Sequence, residues 1–277
     1  MVTIDDLRRK YKDFPRESLL IFSKLLGVDK SHIYAYGDRE VSDIISMEFQ
    51  VQMKKVQEGT PIQYVLGEKE FMGLNFFVNE KVLIPRFDTE VLVEYILEYI
   101  KDNLKGKDIK VLDMCAGSGV IGLTIGHYCK DALVCGVDIS QGAIEVANIN
   151  RERLKVLNVH FLEGDLFAPI GESERFDIVV SNPPYIPSKD IEELDRVVRD
   201  FEPTNALDGG IDGLDFYRII TKGSKKHLKD NGLLIYEIGY DQGDALELIL
   251  WEEGFRDISI MKDSQGHPRV AMGFYRV

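Results

Sequence analysis

Apolar residues fall at helical spacing through the first sixty positions; from about Lys110 onward, short apolar runs alternate with helical stretches. Thr3 is placed to cap a first helix, with Asp5 and Asp6 in its opening turn and Arg8, Arg9, Lys10 and Lys12 further along. That is the charge order a helix dipole favours. Pro15 opens a second helix, whose Leu19, Leu20, Phe22, Leu25 and Leu26 make an apolar stripe before Gly27. A third is predicted over about 41–57, with Ile44, Ile45, Phe49 and Met53 facing inward. Between Pro61 and Pro85, Gly67, Gly73 and Asn79 punctuate apolar runs at 63–66, 74–78 and 82–84, which predicts a β-hairpin linker. Ile84-Pro85-Arg86-Phe87-Asp88 then leads into a helix over about 89–105.

The remainder alternates. Strands are predicted at 110–114, 132–137, 159–162, 178–180 and 233–237, and helices at 119–130, 143–154, 214–228 and 245–252. A final hairpin, 257–261 with 269–275, turns around Gly266. Such alternation implies an α/β fold with a doubly wound, mostly parallel sheet, here with a C-terminal antiparallel hairpin and a small all-α domain in front. The expected organisation is a helical domain at 1–73, a linker at 74–88 and an α/β domain at 89–277.

Composition narrows the setting. With 277 residues and 44% apolar content the chain can bury a sizeable core. No apolar run reaches membrane-spanning length and the first residues do not form a signal peptide, so a cytoplasmic protein is expected. Three cysteines and five scattered histidines show no metal spacing and no disulfide framework. The net charge of −13 argues against a broad nucleic-acid surface. It is unevenly spread: residues 1–73 hold 11 basic and 12 acidic side chains, so the rest carries nearly all of it.

Candidate chemistry gathers at strand ends, where open α/β sheets bind ligands. Ser181-Asn182-Pro183-Pro184-Tyr185-Ile186-Pro187 follows the run 176–180. Consecutive prolines cannot join a ladder, so the strand stops at Asn182 on a stiff turn. A planar nitrogen with two N–H groups suits it: the Asn182 oxygen and a main-chain carbonyl accept the protons while Tyr185 stacks. A proline turn that merely ends a strand is the alternative. Asp113-Met114-Cys115-Ala116-Gly117-Ser118-Gly119 is a glycine loop that lets a ligand approach backbone at a helix start, though a nucleotide-binding dehydrogenase also carries such a loop. Asp138 is placed to accept from ribose hydroxyls, or else to cap a helix for which Ser140 is also available. Gly164-Asp165-Leu166-Phe167 offers a carboxylate for an adenine amino group beside an apolar platform, or is an ordinary acidic turn. Pro85-Arg86 lies over a bound ligand or simply starts a helix. Glu237 ends the fifth strand on the same face, as a pocket residue or a helix cap.

In that order, glycine loop, ribose acid, adenine acid and Asn-Pro-Pro-Tyr resemble the S-adenosylmethionine-dependent methyltransferases of planar nitrogens. The blocks Thr60-Pro61-Ile62-Gln63-Tyr64-Val65-Leu66-Gly67-Glu68-Lys69-Glu70-Phe71, Leu83-Ile84-Pro85-Arg86, Phe201-Glu202-Pro203 and Ala206-Leu207-Asp208-Gly209-Gly210 with Asp212-Gly213-Leu214 extend the likeness to the HemK/PrmC family. Cys115 stands where that family usually has Gly, and Phe87-Asp88 where it usually has Pro-Glu. The resemblance implies transfer of a methyl group from S-adenosylmethionine to the glutamine amide of the Gly-Gly-Gln motif in peptide chain release factors. It implies cofactor contacts from Asp113, Cys115, Gly117, Gly119, Asp138, Asp165, Leu166, Asn182, Pro85 and Arg86. Substrate contacts fall to Asn182, Pro183, Pro184 and Tyr185, with Asn182, Pro183 and Tyr185 catalytic, and the helical domain meets the release factor. No metal and no membrane enter this reading, and a monomer is expected. A nucleic-acid adenine amino-group methyltransferase shares the Asn-Pro-Pro-Tyr turn, but the basic groove and target-recognition insert it needs are not evident.

Overall fold

In the computed structural model, which describes residues 2–104, 106, 108–263 and 265–276, the chain divides into two units, Met1–Glu68 and Lys69–Val277. The first is helical: α1 (Ile4–Lys10), α2 (Pro15–Leu26), α3 (Lys30–Ala35), α4 (Asp43–Gln57) and α5 (Ile62–Leu66), with β1 (Val2–Thr3) and β2 (Glu40–Val41) paired antiparallel. Thr3 and Asp6 form a capping box on α1, and Gly27 closes α2 at φ +65°. Phe22 and Phe49 stack at 3.9 Å in a core with Ile4, Leu7 and Met53. Ile44, expected inside, is 74% exposed. The buried stripe of α4 runs through Phe49, Met53 and Val56, and Ile44, five residues before Phe49, lies about 140° round the helix from it, on the outer face. The run 63–66 is helix, not strand. Pro61 presets the entry and its carbonyl accepts from Tyr64 and Val65, while Gly67 at φ +66° supplies the left-handed stop.

The second unit opens with the hairpin β3 (Lys69–Phe71) and β4 (Leu74–Phe76). The boundary expected at 73/74 passes through its turn, and residues 82–84 are loop. Then follow α6 (Asp88–Asn103), β5 (Ile109–Met114), α7 (Val120–Tyr128), β6 (Ala132–Asp138), α8 (Gln141–Leu154), β7 (Val159–Glu163), β8 (Phe176–Ser181), α9 (Arg196–Phe201), α10 (Asp215–His227), β9 (Leu228–Glu237), α11 (Gly243–Glu252), β10 (Arg256–Lys262) and β11 (Pro268–Tyr275). The predicted end of α6 at 105 lies outside the described residues. Among the described residues the sheet has seven strands in the order β10-β11-β9-β8-β5-β6-β7. From β9 to β7 the pairing is parallel; β11 and β10 add the expected antiparallel edge.

This order fixes where a site can form. The chain leaves β5 towards β6 and β7, then returns to place β8 on the other side of β5. The crevice between the carboxyl ends of β5 and β8 is therefore the topological switch point, where neighbouring loops diverge to opposite faces. Both the glycine loop and the Asn-Pro-Pro turn leave from it, and the Ser181 hydroxyl donates to the Met114 carbonyl at 2.6 Å to tie the two strand ends.

Candidate active site

The loop after β5 is held in conformations most side chains avoid. Cys115 (φ +61°), Gly117 (φ +54°) and Gly119 (φ +77°) all lie in the left-handed region. Cys115 thus occupies the backbone state for which the family's usual glycine is suited. Gly119 serves packing: an added Cβ would stand 2.7 Å from the Phe161 ring. Asp113 lies beneath, fully buried, with Oδ2 accepting from Gly122 N–H at 2.8 Å. Oδ1 has no partner among the described residues. Burial pushes its carboxyl up to about 7, against the Gly122 hydrogen bond and with a further push from Asp138.

Asp138 does more than end β6. Its Oδ2 accepts from Gly117 N–H at 2.8 Å and its Oδ1 from Ser140 N–H at 2.9 Å, so one carboxylate joins two loops. Ser140 Oγ caps α8 through Ala143 N–H. Burial raises the Asp138 pKa and both backbone bonds oppose the rise. Beyond β7, Asp165 and Leu166 line the same cavity. Phe167 does not form the expected platform: its ring turns away onto His227, stacked at 5.2 Å, and packs against Gly223. Phe216 and Ile219 of α10 supply the apolar wall in its place.

At the end of β8, Asn182 and Pro184 face the cavity. The backbone beyond them is clamped. Ile186 N–H donates to Leu207 O at 3.0 Å and Gly209 N–H to Ile186 O at 2.8 Å. Gly209 and Gly213 approach so closely that an added Cβ would lie 2.7 Å from Tyr185 Cα or 2.4 Å from Tyr185 O. Gln242 Nε2 donates to that same Tyr185 carbonyl at 3.0 Å. Behind Asn182, the Thr89 hydroxyl donates to Glu237 Oε2 at 2.5 Å, and Asn182 Nδ2 lies 3.4 Å from Thr89 Oγ1. Glu237 is 1% exposed. Burial pushes its carboxyl up to about 7; Thr89, Arg269 and Asn182 pull it back, and Asp88 adds to the rise.

The rim comes from the segment before α6. Asn150 on α8 accepts from Phe77 N–H at 2.6 Å and donates to Phe77 O and Ser118 O, both at 3.0 Å, bracing that segment against the glycine loop. Arg86 pairs at 2.5 Å with buried Glu202, which also accepts from Ile84 N–H at 3.3 Å. Pro85 and Arg86 thereby line a cavity of about 610 Å³ together with Cys115, Gly117, Asp138, Asp165, Leu166 and Asn182. That volume is ordinary for a small-molecule site. Asp113, Gly119, Pro183 and Tyr185 are not among its lining residues. The structural parts that sequence patterns passed over are Asn150, Gln242 and Thr89, while Glu202 stood in the Phe201-Glu202-Pro203 block without a role. Each is a polar side chain whose partner lies far along the chain, so no local signal marks it.

The Methyltransferase small domain profile matches residues 88–201 and the PrmC N-terminal domain profile residues 4–67. A protein of Clostridium acetobutylicum named release factor glutamine methyltransferase is 44% identical over 262 residues, covering 94% of this chain and 90% of its own. One of the same name from Geobacter sulfurreducens is 40% identical over 259 residues, covering 93% and 88%. A methyltransferase of Pyrococcus furiosus shares the fold at a TM-score of 0.54 and 16% identity, covering 82% of this chain and 98% of its own.

Proposed function

The chain belongs to the release factor glutamine methyltransferase family, and from that premise we propose that it methylates the side-chain amide nitrogen of the glutamine in the Gly-Gly-Gln motif of peptide chain release factors, with S-adenosylmethionine as donor. The observation that carries the site assignment is the meeting of the 610 Å³ cavity with the rigid Asn182-Pro183-Pro184 turn at one switch point.

The residues fit the cofactor. Asp138 and Asp165 face the cavity beside apolar Leu166, Phe216 and Ile219, a wall suited to a nucleoside. Asp113 Oδ1, without a partner among the described residues, lies under the glycine loop, an acceptor for the polar, cationic tail. Asp138 would hold the ribose, Asp165 and Leu166 the adenine, and Cys115, Gly117 and Gly119 shape the loop around the tail. Pro85 and Arg86 close over it, latched by Glu202. S-adenosylmethionine supplies a methyl group already activated by its sulfonium.

The chain's own task is then alignment and electrostatics. An amide nitrogen is a weak nucleophile because its lone pair is shared with the carbonyl. The Asn182 side-chain oxygen and the Pro183 carbonyl accept its two N–H groups and aim the nitrogen. Their dipoles also favour positive charge as it develops there. A carboxylate in place of Asn182 would have to be desolvated at greater cost. Pro184 walls the amide plane; Tyr185 contributes its main chain, anchored by Gln242.

A single amide cannot select one protein among many that expose glutamine, so a second contact is needed. The near-neutral helical unit is assigned that role. Its α4 leaves Ile44, Met47 and Val51 exposed at helical spacing, 74%, 64% and 50% respectively. The test is labelled methyl transfer to an intact release factor, to the same protein with its motif glutamine changed to asparagine, and to DNA and RNA. Label should enter the intact protein, and little should enter the asparagine form, whose nitrogen is one methylene short. Label in nucleic acid alone would overturn the reading.

A further inference from the structure

Glu237 and Thr89 carry no assigned role, yet they stand directly behind Asn182. Both are nearly inaccessible, at 1% and 2% exposed. They come from the end of β9 and the first turn of α6. Where Glu237 is ionised its carboxylate only accepts hydrogen bonds, so the Thr89 hydroxyl spends its one proton on Glu237 Oε2, at 2.5 Å. Its oxygen can then only accept, and the group that faces it at 3.4 Å is Asn182 Nδ2. Asn182 also favours the ionised form of Glu237. A carboxamide has two ends of nearly equal shape, and only its partners decide which way it points. Turning Asn182 over would set Oδ1 against the Thr89 oxygen, acceptor against acceptor, and would leave Nδ2 without that partner.

We propose that Glu237, acting with Thr89, is a positioning residue that holds the Asn182 carboxamide with its nitrogen turned into the protein and Oδ1 free for the N–H of the acceptor amide. This rests on the reading of Asn182 given above. The side chain that accepts the substrate proton thus owes its polarity to a carboxylate that touches neither substrate nor cofactor. Without an acceptor at 237, the Thr89 proton is released to bond Asn182 Oδ1, and the preferred orientation inverts.

Glu237→Met removes the acceptor at similar volume, and Glu237→Gln keeps one oxygen. Single-turnover transfer to a release factor should fall about 10²-fold in Glu237→Met, the scale of losing one aimed dipole, with cofactor affinity by calorimetry unchanged. Glu237→Gln should recover most of the rate. In an Asn182→Ala background, itself slower by about the same factor, Glu237→Met should add no further loss, because there is no carboxamide left to orient. An equal further loss would assign Glu237 a purely structural role, and a fast Glu237→Met would also overturn the proposal. Should Glu237→Met fail to fold, Thr89→Val against Thr89→Ser asks the same question: Val should slow the step and Ser should not. A fast Asn182→Ala enzyme would instead sink the assignment of Asn182. A second readout needs no substrate: the Asn182 side-chain NH₂ protons should resist exchange with solvent in the wild type and lose that protection in Glu237→Met. Equal exchange in both would refute the orientation.

Discussion

Replacing Glu237 by Gln should make the protein more stable in alkali but not in acid, and the size of the difference follows from the burial of one group. The Glu237 carboxyl is 1% exposed and its pKa is pushed from 4.5 to about 7. Burial is the main cause; Thr89 on α6, Arg269 on β11 and Asn182 beyond β8 favour the ionised form, and Asp88 on α6 opposes it. Below pH 4.5 the group is protonated in both folded and unfolded chains and costs nothing. Between 4.5 and 7 the unfolded chain ionises first, so stability falls as pH rises, and the loss is complete above the folded pKa. At about 1.4 kcal/mol per unit, the window amounts to about 3 kcal/mol. Glutamine cannot ionise and escapes it. Urea unfolding of wild type and Glu237→Gln at pH 5 and pH 8 should therefore give a stability difference that shifts by up to about 3 kcal/mol in the variant's favour. Asp113 and Asp138, also raised by burial, cancel in the comparison because both proteins keep them. A difference that stays constant with pH within about 0.5 kcal/mol would refute the reasoning, since Glu237 would then titrate as it does in the unfolded chain.

Asp138→Ala should weaken S-adenosylmethionine binding, measured by calorimetry, by about 1.5–3 kcal/mol, because it removes a charged acceptor and frees Gly117 N–H. Unchanged affinity would leave Asp138 as loop scaffolding alone. Gly213→Ala should lower the melting temperature and the transfer rate together, since φ is +75° and the new Cβ would meet Tyr185 O at 2.4 Å. A neutral result would mean the Tyr185 backbone can yield. Residues 69–277 alone should bind cofactor yet methylate intact release factor poorly, with the loss in apparent affinity and not in the chemical step. Equal activity of that unit and the whole chain would remove the docking role of the helical unit.

Much of the frame was legible in short stretches of chain. Pro183 and Pro184 end β8 at Ser181 because neither can donate to a ladder. Thr3, Pro15 and Gly27 mark helix ends by cap chemistry and by φ alone, and alternating strand and helix periods give the parallel sheet with its antiparallel edge. These are properties of a few consecutive residues. Where a local signal was evenly balanced, it misled. The run Gln63-Tyr64-Val65-Leu66, three of its residues apolar, suits strand or helix, and Pro61 with Gly67 decided for helix. Leu166-Phe167 read as one platform, but consecutive residues point to different surroundings, and only Leu166 meets the cavity.

Which side chains hold the site in shape was decided by tertiary structure. Thr89 and Glu237 lie 148 positions apart, Asn182 and Thr89 lie 93, and Arg86 and Glu202 lie 116. A polar residue bound for burial carries no mark in its own neighbourhood, because the cost that selects its partner is desolvation, and desolvation exists only once the sheet has brought distant strand ends together. The sequence could place Asn182 on a stiff turn at a strand end. Only the folded chain, by setting Thr89 and the Glu237 carboxylate behind it, could decide which way its amide points.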